Sequence, residues 1–281
     1  MIVITGASGQ LGRQVAHALA ERISPTMVTL GARDPGKITD LAAKGFRTAA
    51  VDFDRPESLA TAFAGADTAL IISGDAPSDI RIRQHRTAID AAKIAGVGRV
   101  AYTSFTNATP ASLFPFAAIH ADSEAYLKAS GLAYTILRNN QYAENLTLAA
   151  AKQTGLLALP GIAGKVAYIS RADLAAATAA VLTQPGHEGK TYELTGNEAL
   201  DLVAVADMLA AQWGTPVRAQ EASLSDYDKA LSDRGLPPFV VAALVGLRRA
   251  VAAGEYATVH GDAQRLAGRP LETVRAYLMR A

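Results

Sequence analysis

Between a short apolar run, Met1–Thr5, and a segment of helical spacing stands Thr5-Gly6-Ala7-Ser8-Gly9-Gln10-Leu11-Gly12, its glycines spaced G-x-x-G-x-x-G. A bare glycine pattern says little, but one wedged between a strand and a helix narrows what the chain can become. Each glycine answers its own steric need. Gly6 permits a tight turn out of the strand, Gly9 lets the backbone approach a ligand with no Cβ in the way, and Gly12 lets the helix pack closely on the sheet. The bland alternative is an ordinary glycine-rich strand-to-helix turn.

The theme repeats through the first 140 residues. Apolar runs at Met27–Ala32, Arg47–Val51, Thr68–Ser73, Arg99–Ser104 and Ala133–Leu137 alternate with helical segments, in one of which Ala88, Ile89, Ala92 and Ala95 share a face. Such alternation implies parallel pairing through right-handed crossovers, here six β-α units of a doubly wound, Rossmann-like α/β sheet. After Asn145 the alternation stops. Residues 146–164, with Gly155, Pro160, Gly161 and Gly164, read as a loop-rich excursion. Val166–Ile169 reads as a strand. Ser170, with Asp173 three residues on, opens an Ala-rich helix to Leu182, and Thr191–Leu194 reads as one more strand. Helices are predicted at Leu200–Trp213, Ser225–Arg234, Pro238–Gly254 and Leu271–Met279. The expected division is a Rossmann-like domain of residues 1–145 with 165–195, and a smaller, mainly helical C-terminal substrate lobe of residues 146–164 with 196–281 that covers the open edge of the sheet.

Composition removes several function classes. A formal net charge of +1 gives no broad field to draw nucleic acid or an anionic membrane, so neither is an expected partner. With no cysteine there are no disulfides, thiolate metal sites or Cys nucleophiles, which is compatible with a cytoplasmic location. The five histidines form no metal-spaced cluster, and no metal is expected. No secretory signal is expected at the first residues, and no apolar run reaches the ~20 residues that span a bilayer.

The turn at Gly6, Ser8, Gly9, Gln10, Leu11 and Gly12 suits a dinucleotide pyrophosphate, with N–H groups from Ser8 to Leu11 around it at the positive helix N-terminus. At the end of the second strand an NAD-binding chain usually places an Asp or Glu for the ribose 2′-OH. Here Gly31-Ala32-Arg33-Asp34-Pro35 puts Arg33 in that position, suited to a 2′-phosphate, with Lys37 nearby in sequence. NADPH is therefore the expected cofactor. Arg33 could also be a solvated surface charge, and Asp34 could serve NAD. Asp52 and Phe53, after the third strand, are placed to meet adenine, or else form a polar strand end with one buried aromatic.

With these residues assembled, the chain resembles the NmrA-like group of atypical short-chain dehydrogenases, and within it the bacterial NAD(P)H:quinone oxidoreductases and triphenylmethane reductases. The resemblance covers nearly the whole chain. It rests on Ile4–Gly12, Ala32–Pro35 with Lys37, Gln84-His85-Arg86, Ala101–Ser104, His120 with Glu124, Leu137–Asn139, Tyr142–Asn145, Arg171–Asp173, His187–Gly196 and Leu266–Pro270. It implies an NADPH-binding core, a small substrate lobe and an apolar cleft between them. It also implies that Ser73, Thr103 and Ser104 lie beside the cofactor, and that Asn139, Asn140, Gln141 and Tyr142 border the nicotinamide. Asn140 and Gln141 stand where close relatives commonly carry Gly and Trp, so substrate specificity does not carry over. A homodimer is compatible with the resemblance.

No tyrosine of the nine has Lys four residues later, so the Tyr-x-x-x-Lys pair that serves alcohols and ketones in ordinary short-chain dehydrogenases is missing. Two classes survive. One is a reductase passing hydride from NADPH, without flavin, to a quinone or similarly conjugated, electron-poor acceptor. The other is a non-catalytic NADP-binding sensor, which would need no acceptor cleft. His120 is the candidate catalytic residue, with Glu124 at i+4 to orient or charge it; the alternative is a capping or surface pair near the start of a helix after Pro115. His85 reads as a packing or hydrogen-bonding residue, and His187 and His260 receive no role. Phe105 and Tyr142 are expected in the substrate pocket, and Phe114 and Phe116 line an aromatic cleft or belong to ordinary core. Arg81, Arg83 and Arg86 read as a solvated helix face, as do Arg248 and Arg249.

Overall fold

The computed structural model describes residues 1–146 and 148–280. Seven parallel strands form the main sheet: β1 (Ile2–Ile4), β2 (Val28–Ala32), β3 (Arg47–Ala50), β4 (Thr68–Ile71), β5 (Arg99–Phe105), β6 (Ala133–Asn139) and β8 (Lys190–Leu194), in the order β3-β2-β1-β4-β5-β6-β8. The intervening helices are α1 (Gln10–Ala20), α2 (Thr39–Ala42), α3 (Pro56–Phe63), α4 (Ser78–Ile94), α5 (Pro115–Ala129) and α7 (Arg171–Thr183). The chain winds outward in both directions from β1 and β4, so a crevice opens at their carboxyl ends.

The central strands are buried on both faces, and their period of two divides the core. Ile2, Ile4, Leu70 and Ala101 face one apolar layer with Val15 and Leu19 of α1 and Leu174 and Val181 of α7. Val3, Ile71, Val100 and Tyr102 face the other, with Leu59 and Phe63 of α3, Ile89 and Ala92 of α4 and Leu127 of α5. Ser170 caps α7 as the sequence suggests, its hydroxyl accepting from Asp173 N.

The remaining chain forms α6 (Leu148–Thr154), β7 (Leu156–Leu159), α8 (Leu202–Trp213), β9 (Arg218–Glu221), α9 (Leu224–Asp233), α10 (Pro238–Ala252), α11 (Asp262–Ala267) and α12 (Val274–Arg280). Four expectations change here. The excursion at 146–164 contains a helix and a strand, and β7 pairs in parallel with β9, so the lobe holds a two-stranded sheet. Val166–Ile169 is no strand. Its backbone is shared among three segments: Val166 bridges Leu200, Ala167 N donates to Tyr256 O at 2.9 Å, and Ile169 bridges Tyr142. The lobe reaches beyond the sheet edge, where Asp262 accepts from Glu193 N of β8 at 3.1 Å. It also sits over the carboxyl end of β5, where Phe105 meets Tyr256 edge-on at 5.4 Å; among its elements α11 packs on β8 and α7. That short helix, absent from the sequence reading, carries Ala263 and Leu266 into the Rossmann core, while Val166 and Tyr168 belong to the apolar cluster of the lobe.

Candidate functional site

A cleft of about 770 Å³ runs along the carboxyl ends of β1 to β5 and continues under α10. Its floor is the glycine turn. Gly6 has φ +67°, a conformation that disfavours any side chain, and Ala7 N reaches across to Gly31 O at 2.9 Å. A Cβ on Gly12 would strike the carbonyl oxygen of Gly6 and lie 2.8 Å from Ala7 Cα, so the helix can approach only because that position is bare. Gly9 is the N-cap of α1 and offers no side-chain cap, and the first turn carries no acidic residue. One expected donor is unavailable, because Gly9 N–H is turned back onto Gly6 O at 3.0 Å. Ser8, Gln10 and Leu11 line the cleft with Gly6, Gly9 and Gly12.

At the outer end, Arg33 lies exposed on the cleft wall just beyond β2, with no hydrogen bond or ion pair among the described residues. Its neighbour Asp34 is occupied: Oδ1 accepts from Gly36 N at 2.9 Å, which caps the short turn Pro35–Ile38. Lys37 does not line the cleft. Asp52 and Phe53 do; the Asp52 carboxylate accepts from Asp54 N at 3.0 Å, and the Phe53 ring meets His85 edge-on at 6.5 Å.

The inner wall comes from the ends of β4, β5 and β6. Ser73 N donates to Thr103 Oγ1 at 3.0 Å, and Ser104 Oγ donates to Glu124 at 2.6 Å. Ser73, Thr103, Ser104, Phe105, Gln141 and Tyr142 line the cleft. Asn139 and Asn140 do not reach its wall. Asn139 Nδ2 points at Tyr142 Oη (3.4 Å), and Asn140 is tied to Tyr256 O (3.1 Å) and Gln141 N (2.7 Å). The Arg171 guanidinium lies 4.7 Å from the centre of the Tyr142 ring.

His120 lies on the cleft wall, but not paired with Glu124. Although i, i+4 spacing puts both on one face of α5, Arg138 from β6 takes the carboxylate bidentately at 2.8 and 2.7 Å, and Ser104 adds a third bond. A planar guanidinium outcompetes an imidazole for that geometry. His120 Nδ1 instead meets Tyr102 Oη at 2.9 Å. Tyr102 Oη is also 3.3 Å from His85 Nδ1, which is 2.8 Å from Ser123 Oγ, while His85 Nε2 is 3.1 Å from Ser73 Oγ. One order of protons serves every member of this chain. Ser123 Oγ donates to Ile119 O at 2.9 Å, so it accepts from His85 Nδ1–H. His85 Nε2 then accepts from Ser73, and Tyr102 spends its proton on His120 Nδ1. In that order His120 keeps Nε2–H, which has no acceptor among the described residues and opens on the cleft. Burial, helped by the nearby Arg81 charge, pushes His85 down to about 3, and the same two causes with His85 hold His120 well below the usual imidazole range. Burial raises the Tyr102 phenol, so it keeps its proton.

Two features escaped the sequence reading. Arg81 is buried and lines the cleft, not a solvated face. Its signal was present, since 81, 85, 88 and 92 continue the buried stripe of α4. The second is α10, which closes the inner end with Val240, Ala243, Leu244 and Leu247, while Gln141 lies in the wall beside Tyr142. Phe105 stacks at 6.2 Å on His120 and 5.1 Å from Phe114, and Phe114 lies 5.4 Å from Phe116, so the inner end is aromatic.

Comparison with known proteins fits this geometry. A family model described as NAD(P)H-binding matches residues 6–185. Quinone oxidoreductase 2 of Escherichia coli (strain K12) is 40% identical over 239 residues, 84% of this chain and 83% of that protein. The crystal structure of the NADPH-dependent quinone oxidoreductase from Escherichia coli complexed with NADPH has a TM-score of 0.94 at 36% identity, covering 100% of this chain and 99% of that one. Citrobacter sp. triphenylmethane reductase complexed with NADP(H) gives 0.94 at 32% identity and covers 100% of both chains. NAD(P)H azoreductase of Xenophilus azovorans is 30% identical over 279 residues, 99% of this chain and 96% of that protein. From the glycine turn to the end of α7 the match is continuous, and the chain belongs to the NAD(P)H-binding family, in its NmrA-like group.

Proposed function

We propose that this chain is an NADPH-dependent reductase whose acceptor is a quinone or a similar conjugated, electron-poor molecule. One observation carries the reading: a single cleft joins the bare N-terminus of α1 to an aromatic inner end at Phe105, Phe116 and His120. A sensor needs the first part alone. The residues fit the dinucleotide. Gly9 leaves room at an uncapped helix start, and Arg33 is an uncommitted cation at the position of a 2′-phosphate, where Asp34 is already engaged. Residues 1–145 with 165–195 hold the cofactor in this reading, and residues 146–164 with 196–281 supply α10 to the acceptor end. When bound, NADPH supplies a hydride, that is two electrons and one proton, and no flavin is required.

The side chains of the inner end have limited work to do. Phe105 and Phe116 offer flat apolar faces to a conjugated ring. Neutral His120 offers Nε2–H to an acceptor oxygen as negative charge collects there. The reduced acceptor leaves as a weakly basic anion and takes its second proton from water.

The reading is tested by NADPH oxidation with a panel of quinones and conjugated dyes, using purified protein without added flavin. Turnover is expected, slowed by deuterium at the transferred position of the nicotinamide where hydride transfer limits the rate. A folded, NADP-binding protein that oxidises no NADPH across the panel would hand the chain to the sensor class.

A further inference from the structure

Arg81 is a buried cation without a counter-ion. It is 7% exposed, yet no carboxylate among the described residues lies within the 4.0 Å of an ion pair. Nε and Nη2 both go to one neutral atom, Ser73 Oγ, at 3.1 and 2.8 Å. The guanidinium lies over Phe116, with Cζ 4.9 Å from the ring centre. Nη1 makes no hydrogen bond among the described residues and is not sealed from solvent, so it opens on the cleft. Asp75, a cleft residue beyond ion-pair reach, acts on it only at longer range.

Other buried or half-buried arginines of this chain are compensated. Arg99 donates to Val181 O (2.8 Å) and faces Glu188, Arg248 donates to the carbonyls of Pro160 and Gly161, and Arg138 is held by Glu124 and Glu193. A desolvated charge left unpaired is costly, which a fold tolerates where the charge meets a ligand. Arg81 stacks on Phe116 and its field reaches His120, which sets the charge against the aromatic end of the cleft.

Resting on the reductase reading, we infer that Arg81 sets the charge of the acceptor: it favours neutral and anionic conjugated acceptors and disfavours cationic dyes. The chemistry separates the two cases. A neutral quinone that takes a hydride becomes a hydroquinone monoanion, so negative charge grows in the transition state beside Arg81 and the rate of the chemical step rises. A cationic dye that takes a hydride becomes neutral. Its repulsion by Arg81 is present on binding and relieved in the transition state, so the penalty falls on binding.

The test compares wild type with Arg81→Met and Arg81→Lys, using menadione as the neutral quinone and crystal violet as the cationic dye. At saturating menadione the single-turnover rate should fall about 10- to 100-fold in Arg81→Met, with KM changed less than about threefold, and Arg81→Lys should recover most of the loss. Crystal violet should bind the NADP⁺-loaded Arg81→Met protein at least about tenfold more tightly than wild type. NADPH affinity should stay within about twofold. A large loss of NADPH affinity with unchanged preference between quinone and dye would assign Arg81 to the cofactor and overturn the inference. Wild type alone gives a second measurement that no folding defect can blur. Titrated with a sulfonated anionic triphenylmethane dye and with crystal violet, the NADP⁺-loaded protein should bind the anionic dye more tightly; equal or reversed affinities overturn the inference. This binding comparison also separates the two readings, since failure of all turnover would remove the reductase while leaving the charge preference measurable.

Discussion

Arg33 offers the sharpest test of cofactor choice, because removing it breaks nothing in the free protein. It is exposed and makes no hydrogen bond or ion pair among the described residues. Arg33→Ala should therefore leave thermal stability within about ±0.5 kcal/mol of wild type, as for surface changes elsewhere. The effect on the nucleotide is different. A charge-assisted hydrogen bond to phosphate contributes about 1.5–3 kcal/mol, which is roughly 10- to 100-fold in affinity at 1.4 kcal/mol per tenfold. The site is exposed, so salt screens it and the lower half of that range applies at physiological ionic strength, with a larger effect at low salt. NADH has no 2′-phosphate and should lose less than about threefold. Isothermal titration of both nucleotides at two salt concentrations reads the difference directly. Equal losses for NADPH and NADH, or a loss independent of salt, would remove Arg33 from the 2′-phosphate.

Two further perturbations test other parts of the site. Gly9 has an extended backbone and a Cβ there would meet only Gly6 O at 3.3 Å, so Gly9→Val should fold with native circular dichroism yet bind neither nucleotide; retained affinity would dismiss the glycine turn as a phosphate cradle. His85 falls from an ordinary imidazole value in the unfolded chain to about 3 in the fold, so the native state resists its protonation. The stability this represents is complete above pH ~6.5 and is lost as pH falls toward 3, on the order of 2 kcal/mol by pH 5. The melting temperature should drop between pH 7.5 and 5, and His85→Gln should flatten that drop; an identical slope in the variant would place the pH dependence elsewhere.

What could be read from the sequence depended on how local its cause was. The glycine turn, the strands that follow it and the Ser170 cap are set by residues within a few positions of one another, and each stands where the spacing put it. Partnerships set by distant elements were not legible. Helical spacing joined His120 to Glu124, but the partner that decided the matter, Arg138, comes from β6. Strand β9 reads Arg-Ala-Gln-Glu, with only Ala219 packed inward, and exists because β7 lies beside it. Val166–Ile169 has the composition of a strand and the burial of one, yet three different segments take its backbone hydrogen bonds. Arg81 was misread because charge outweighed position, although its place on the buried stripe of α4 argued the other way.

The closed hydrogen-bond chain at the inner end bears on which acceptors the protein can serve. It begins at His120 and ends at Ser73, and both of these residues border the same cleft. No member is a ready acid. The imidazoles are neutral because burial and Arg81 disfavour their charged forms, and the Tyr102 phenol is held protonated by burial. Such a chain can donate a hydrogen bond through His120 Nε2–H, but it cannot deliver a proton and be cheaply recharged. It therefore suits products whose charge spreads over a conjugated ring and onto oxygen, since water can protonate them after release. An aliphatic ketone would leave a localised alkoxide and need a proton in the same step. Simple ketones should thus be reduced at least about 10²-fold more slowly than quinones under matched conditions, the usual contribution of a positioned general acid. His120→Ala should cost quinone reduction no more than about tenfold, the loss of one neutral hydrogen bond. Ketone reduction at quinone-like rates, abolished by His120→Ala, would mean that the imidazole does transfer a proton and is recharged during turnover.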